Sequence, residues 1–100
     1  MTDEDILEQL KTDLQFYDLS GGGAFAGKIL NYLNRLIAQA KMLITREGVT
    51  LTDSAEDGLL VEMYAAYLYE KRKSDNATMP RMLRWALNNR VISEKAGGEG

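Results

Sequence analysis

The stretch at residues 24–46, AFAGKILNYLNRLIAQAKMLITR, decides the fold class of this chain. Its apolar side chains recur at intervals of three and four residues, which is the repeat of one face of an α-helix. A helix of this length extends on the order of 35 Å at about 1.5 Å per residue. Gly48 is the expected stop signal. The apolar stripe consists of Phe25, Ile29, Leu33, Leu36, Ile37, Ala40, Leu43 and Ile44.

One further helix is predicted on each side of this long one. No segment shows the alternation of apolar and polar residues that is typical of a strand. The first spans residues 3–16, with Thr2 or Asp3 as its cap. The third follows a capping pair, Asp53 with Glu56, and ends near Lys73. Its apolar side chains cover more than one face, which is typical of a helix at the centre of a domain or against another chain.

A fourth helix is predicted from about residue 80 to about residue 92, behind the only proline of the chain. The expected architecture is a small all-α, four-helix domain, short-long-long-short, formed by residues 1–95. The glycine-rich residues 96–100 are expected to be a flexible, disordered tail.

The composition excludes several kinds of chemistry. Cysteine and histidine are both absent, so there is no disulfide, no thiolate metal site and no imidazole general base. The acidic start is unlike a signal peptide, and no apolar stretch is long enough to span a bilayer. We therefore expect an intracellular chain that is not an enzyme and holds neither a metal nor another cofactor.

Four motifs admit a functional interpretation beside a structural one. The acidic clusters at residues 3–5 and 53–57 are more typical of helix starts than of a metal site. The glycines of residues 20–23 favour a connection over a phosphate loop, because no Lys-Ser or Lys-Thr pair follows them. The tyrosines of residues 64–69 favour a core position over base stacking. The basic residues 71–73 favour a role at the negative end of the helix dipole over a role as a binding site.

Charge is divided unevenly along the chain. Residues 1–70 carry twelve acidic and five basic side chains, a balance of −7. Residues 71–100 carry seven basic and three acidic side chains, a balance of +4. The basic part of one copy could therefore meet the acidic part of another.

Trp85 falls on the wrong side of the fourth helix for a core residue. At about 100° per residue, it lies roughly 160° from Leu87, whereas Met79, Leu83 and Ala86 share the side of Leu87. Tryptophan and arginine are enriched at interface hot spots. The alternatives are that the tail covers Trp85 or that the helix is buried on both sides. The candidate residues for a protein interface are Trp85, Arg81, Asn88, Asn89 and Ile92.

The same helix also carries the candidates for nucleic-acid binding. Arg81, Arg84 and Arg90 could contact phosphates, as in a small DNA-binding or DNA-packaging accessory domain. The sequence isoelectric point near 4.9 argues against this alternative.

The segment VEMYAAYLYEKRKSDNATMPRMLRWALNNR, at residues 61–90, resembles the head–tail connector proteins of tailed bacteriophages and prophages, which are also called head-completion or adaptor proteins. The motif MPRMLRWALNNRV at residues 79–91 is part of this likeness, and residues 28–46 are similar to the family's central helix.

The resemblance implies a structural protein of the virion that assembles in the host cytoplasm and ends at the head–tail junction. It implies a homo-oligomeric ring, with the portal protein and a tail-side connector or stopper protein as partners. In that setting the ring extends the DNA channel and offers the tail a docking surface. DNA passes through without sequence-specific binding, and no membrane is involved.

Overall fold

In the computed structural model of the chain, the described residues are 1–14 and 23–98, with side chains described for 26–95 within the second range. They form four helices, and neither range contains a strand, which confirms the all-α prediction. None of these helices has the length and apolar character needed to cross a membrane. The helices are α1 (Asp3–Asp13), α2 (Gly23–Arg46), α3 (Ala55–Lys73) and α4 (Arg81–Gly98).

Local interactions set the start of α1 and the end of α2. The Thr2 hydroxyl accepts a hydrogen bond from the Asp5 amide at 3.2 Å, and the Asp5 carboxylate accepts one from the Thr2 amide at 3.0 Å. α2 ends at Arg46, and Gly48 follows with φ of 105°, a conformation that glycine adopts without strain. Gly48 is thus confirmed as the stop. Residues 15–22, which include most of the predicted glycine connection, lie outside the described ranges.

Three predicted boundaries were wrong. α1 ends at Asp13 and not at residue 16. Ser54, not Asp53, caps α3, because the Ser54 hydroxyl accepts the Asp57 amide at 3.1 Å. α4 continues to Gly98, beyond the predicted end at Ile92, and the strong helix formers Glu94, Lys95 and Ala96 favour most of this extension. α4 therefore includes the first three residues of the predicted tail, while residues 99 and 100 lie outside the described part.

The hydrophobic core centres on α3, which packs against each of the other helices. This explains why its apolar side chains cover more than one face, and the apolar surface of α3 therefore gives no separate argument for a second chain. Leu59 is an exception among the apolar side chains of α3, since it is 47% exposed. The buried core residues are Ile6, Leu10, Leu33, Leu36, Ile37, Ala40, Ile44, Val49, Leu60, Val61, Tyr64, Ala65, Leu83 and Leu87.

Candidate protein interface on the outer face of α4

The inner face of α4 fixes the direction of its outer face. Leu83 and Leu87 are 1% and 4% exposed, and Met79 and Ala86 are half-buried beside the core. The predicted core side of this helix is confirmed. Because the side chains project around the helix at about 100° per residue, the opposite side has to face away from α3.

Arg90 ties α4 to the link between α2 and α3. Its Nη2 donates to the Thr50 carbonyl at 3.0 Å, to Asp57 Oδ2 at 3.4 Å and to Glu94 Oε1 at 3.3 Å. The Thr52 amide and hydroxyl donate to the same Asp57 oxygen at 2.7 and 2.8 Å. Since Asp57 is 1% exposed, its charge is offset inside the protein by these donors. The network therefore fixes the orientation of α4 about its own axis.

The outer face of α4, defined here by Arg81, Met82, Trp85, Asn88, Asn89 and Ile92, is exposed throughout. Trp85 is 69% exposed and Ile92 is 65% exposed. The structure thus brings together all five interface candidates from the sequence. It adds Met82, which is 74% exposed and lies about 60° around the helix from Trp85.

Exposed apolar surface is concentrated at this place. Among the described residues, the large hydrophobic side chains that are exposed are Met42, Leu59, Met82, Trp85 and Ile92. Three belong to the outer face of α4, and Leu59 lines an adjoining groove of about 250 Å³ with Met63 and Trp85. A clustered apolar surface of this kind marks a protein-interaction site more often than isolated exposed side chains do.

Cations lie on and beside this face. Arg81, Arg84 and Lys95 are exposed on α4. The only carboxylate between residues 81 and 95 is Glu94, which accepts hydrogen bonds from the Thr50 amide at 3.1 Å and from Arg90. The exposed surface of this helix, over residues 81–95, therefore combines apolar side chains with positive charge.

The three arginines proposed for nucleic-acid binding have different surroundings. Arg81 and Arg84 are exposed, but the side chain of Arg90 is only 23% exposed and bonds to two carboxylates. A phosphate would have to displace both carboxylates to reach Arg90. Of the three proposed arginines, only Arg81 and Arg84 are therefore available to contact phosphates.

The tyrosines and the basic run at the end of α3 contact one another. Tyr64 is buried, as the core interpretation predicts, and burial raises the pKa of its hydroxyl. Lys71 lies over the Tyr67 ring at 5.8 Å, Arg72 over Tyr32 at 5.4 Å and Lys73 over Tyr69 at 5.3 Å. These rings are covered by cations of the same chain, which leaves less of their faces for stacking on bases.

The acidic clusters serve helix starts and ion pairs. Asp3 pairs with Lys41. The hydrogen bonds with Thr2 lower the pKa of Asp5. No group of three or more potential ligands for a metal ion occurs within the described parts of the chain.

Glu62 is a buried acid that the sequence reasoning did not single out. It is 2% exposed on α3, and its Oε1 has no hydrogen-bond partner among the described residues. Burial, followed by a hydrogen bond with Asp13 and the charge of Asp13, raises the pKa of Glu62 to about 8. Only its place between Val61 and Met63, on the buried side of α3, could have revealed this.

Protein families, curated proteins and solved structures gave no match. The outer face of α4 and the resemblance carried by residues 61–90 are therefore the two indications of function.

Proposed function

We propose that this chain is a structural assembly protein of a tailed-phage particle, a head–tail connector that binds other protein chains and catalyses no reaction. In this proposal it binds the portal at the capsid vertex, extends the DNA channel and gives the tail-side connector or stopper a docking surface. It acts at the head–tail junction of the virion after assembly in the host cytoplasm.

One observation carries the proposal, the exposure of Trp85 at the centre of an apolar and cationic helix face. A lone chain gains nothing from an exposed tryptophan with Met82 and Ile92 beside it, and it risks aggregation. A partner that covers this face removes the apolar surface from water, at roughly 25 cal/mol per Å². Tryptophan and arginine together, as here, are typical of the residues that dominate interface energy.

The test substitutes Trp85→Ala and measures folding and binding separately. We expect thermal unfolding of the isolated chain to change little, because the side chain is 69% exposed. Binding to the portal protein of the same phage or prophage should weaken by about 2 kcal/mol or more, the usual hot-spot range. Calorimetry or surface capture on purified portal gives the binding constant.

Met42→Ala is the matched control, because Met42 is a large apolar residue, 47% exposed, on the separate helix α2. It should leave portal binding unchanged. Unaltered binding by Trp85→Ala would show that the outer face of α4 is not the interface. If the variant unfolds while its remaining folded fraction binds as the wild type does, Trp85 is a core residue and the proposal is wrong.

A further inference from the structure

A second charged surface lies on α2, on residues that the outer face of α4 does not include. α2 contains no aspartate or glutamate along its whole length. Lys28 and Arg35 are exposed four residues before and three residues after Tyr32, so both are its neighbours on the helix surface. The side-chain amides of Asn31 and Gln39 are exposed beside them.

Two tyrosine rings bring a further pair of cations to this place. The Tyr32 ring contacts the Tyr69 ring of α3, with 6.1 Å between the ring centroids. Arg72 lies over the Tyr32 ring at 5.4 Å and Lys73 over the Tyr69 ring at 5.3 Å, and both cations are exposed. The basic surface of α2 and α3 is defined by Lys28, Arg35, Arg72 and Lys73.

The charge of this surface is not neutralised within the described part of the chain. Ion pairs between described residues involve the cations Lys11, Lys41 and Arg90, and none of the four that define the basic surface. Asp3 of α1 pairs with α2 only at Lys41, which lies about 120° around the helix from Arg35. Because like charges at this spacing repel one another, the surface is stabilised by a bound anion.

The net charge of −3 does not exclude an anionic ligand here, because the acidic side chains lie elsewhere. Glu70, which is close to Arg72 in sequence, lies about 160° from it around α3. It lines a separate cavity with Asp13. At physiological ionic strength, charges more than about 8 Å apart are largely screened. A ligand at the basic surface therefore meets mainly the local positive charge.

The neighbouring side chains distinguish a nucleic acid from an acidic protein as the ligand. Of the exposed large hydrophobic side chains that the structure describes, Met42 alone belongs to α2. A protein interface has an apolar centre, whereas phosphate oxygens are bound by Lys, Arg, Asn and Gln side chains. Lys28 and Arg35 are about 10.5 Å apart along α2, and duplex DNA carries about one charge per 1.7 Å of its axis. The density of phosphates is thus sufficient for four simultaneous contacts.

We propose that the basic surface of α2 and α3 binds the phosphate backbone of duplex DNA without reading its sequence. The inference goes beyond the proposed function, which assigns no side chain to a contact with DNA. Because the basic surface shares no residue with the outer face of α4, DNA binding and portal binding can be altered separately.

The test measures binding of the full chain to a labelled duplex of mixed sequence, by fluorescence anisotropy over a range of salt concentrations. Four phosphate contacts predict a slope of about −3.6 for the logarithm of the binding constant against that of the salt concentration. Lys28→Gln with Arg35→Gln removes two of these contacts. This double variant should lose about half of the slope and bind at least ten-fold more weakly at low salt. A duplex of unrelated sequence should bind the wild type equally well.

Arg84→Gln with Lys95→Gln is the matched control, because it removes the same charge from exposed positions of α4. It should bind DNA with the affinity and the salt dependence of the wild type. Circular dichroism checks that each variant is folded. If the α2 double variant is unfolded, Arg72→Gln with Lys73→Gln replaces it and should show the same loss of affinity and slope.

Three results would overturn the inference. The wild type could show no saturable binding to DNA at protein concentrations up to about 1 mM. The α4 control could lose as much affinity as the α2 double variant, which would indicate a diffuse effect of charge. Polyglutamate could bind the wild type where duplex DNA does not, which would assign the surface to an acidic protein. The α2 double variant should bind the portal as the wild type does, so failure of this inference and failure of the proposed function are distinguishable.

Discussion

At the scale of single residues, the Glu62 side chain is the most unusual group of the core. Its burial and its hydrogen bond with Asp13 raise the pKa of the Glu62 carboxyl to about 8, well above its ordinary value of 4.5. At neutral pH the folded chain therefore keeps a proton on this carboxyl that the unfolded chain releases. Asp13, the last residue of α1, contributes to this shift.

This proton makes stability depend on pH in a defined direction. Because the folded pKa is raised, the contribution to stability is fully present below about pH 4.5 and is lost as the pH rises through about 8. Urea unfolding at pH 5, 6.5 and 8 should show a falling free energy of unfolding for the wild type. Glu62→Gln should flatten this slope and be more stable than the wild type at pH 8.

Glu56→Gln, an exposed glutamate on the same helix, should keep the wild-type slope. Parallel curves for the wild type and Glu62→Gln would show that Glu62 is not the group that titrates.

At the scale of the helices, hydrogen bonds at the ends of elements determine how α3 and α4 are held. Ser54→Ala removes the acceptor for the Asp57 amide and should lower the free energy of unfolding by about 1 kcal/mol. Asp53→Ala leaves that cap intact and should have little effect. Urea denaturation of both variants compares the two positions, and a larger loss at Asp53 would contradict the assignment of the cap.

The second prediction at the scale of the helices concerns Arg90. Arg90→Met removes a donor from Thr50 and leaves the buried Asp57 without its cation. We expect a loss of about 2 kcal/mol, below the range for a fully buried pair because the Arg90 side chain is 23% exposed. Hydrogen exchange should accelerate chiefly in α4. Arg35→Met, at an exposed position of α2, is the control, and an equal loss in both variants would show that the network does not hold α4.

The sequence predicted the features that depend on neighbours three or four residues apart. The four helices, the Gly48 stop and the outward direction of Trp85 all follow from such short-range patterns. The bond between Arg90 and Asp57 joins residues 33 positions apart, and no local pattern gives their distance. The α3 cap was misplaced because Asp53 and Ser54 are both suitable caps, and only the backbone geometry distinguishes them.

At the scale of the whole molecule, the chain is long and thin, with extents of 51 × 31 × 18 Å. Its radius of gyration of 14.5 Å exceeds the roughly 13 Å of a compact 100-residue domain. A shape of this kind leaves less room for a core, so association should contribute noticeably to stability.

The melting temperature should therefore rise with protein concentration, since self-association favours the folded chain by mass action. Calorimetric scans over a hundred-fold range of concentration measure this rise. Trp85→Ala should remove it while leaving the melting temperature at high dilution nearly unchanged. A wild-type melting temperature that is independent of concentration would contradict association through the folded state.

The exposed Trp85 has one more consequence, which is optical. It is the only tryptophan of the chain, so intrinsic fluorescence excited selectively in the indole band reports on one place alone. Its emission should already be red-shifted in the folded monomer, because the ring is largely in water. Denaturation should then scarcely move the spectrum, whereas docking of the outer face of α4 should shift it to the blue. The wild-type chain thus carries an unlabelled probe of its own association that is nearly insensitive to the state of its core.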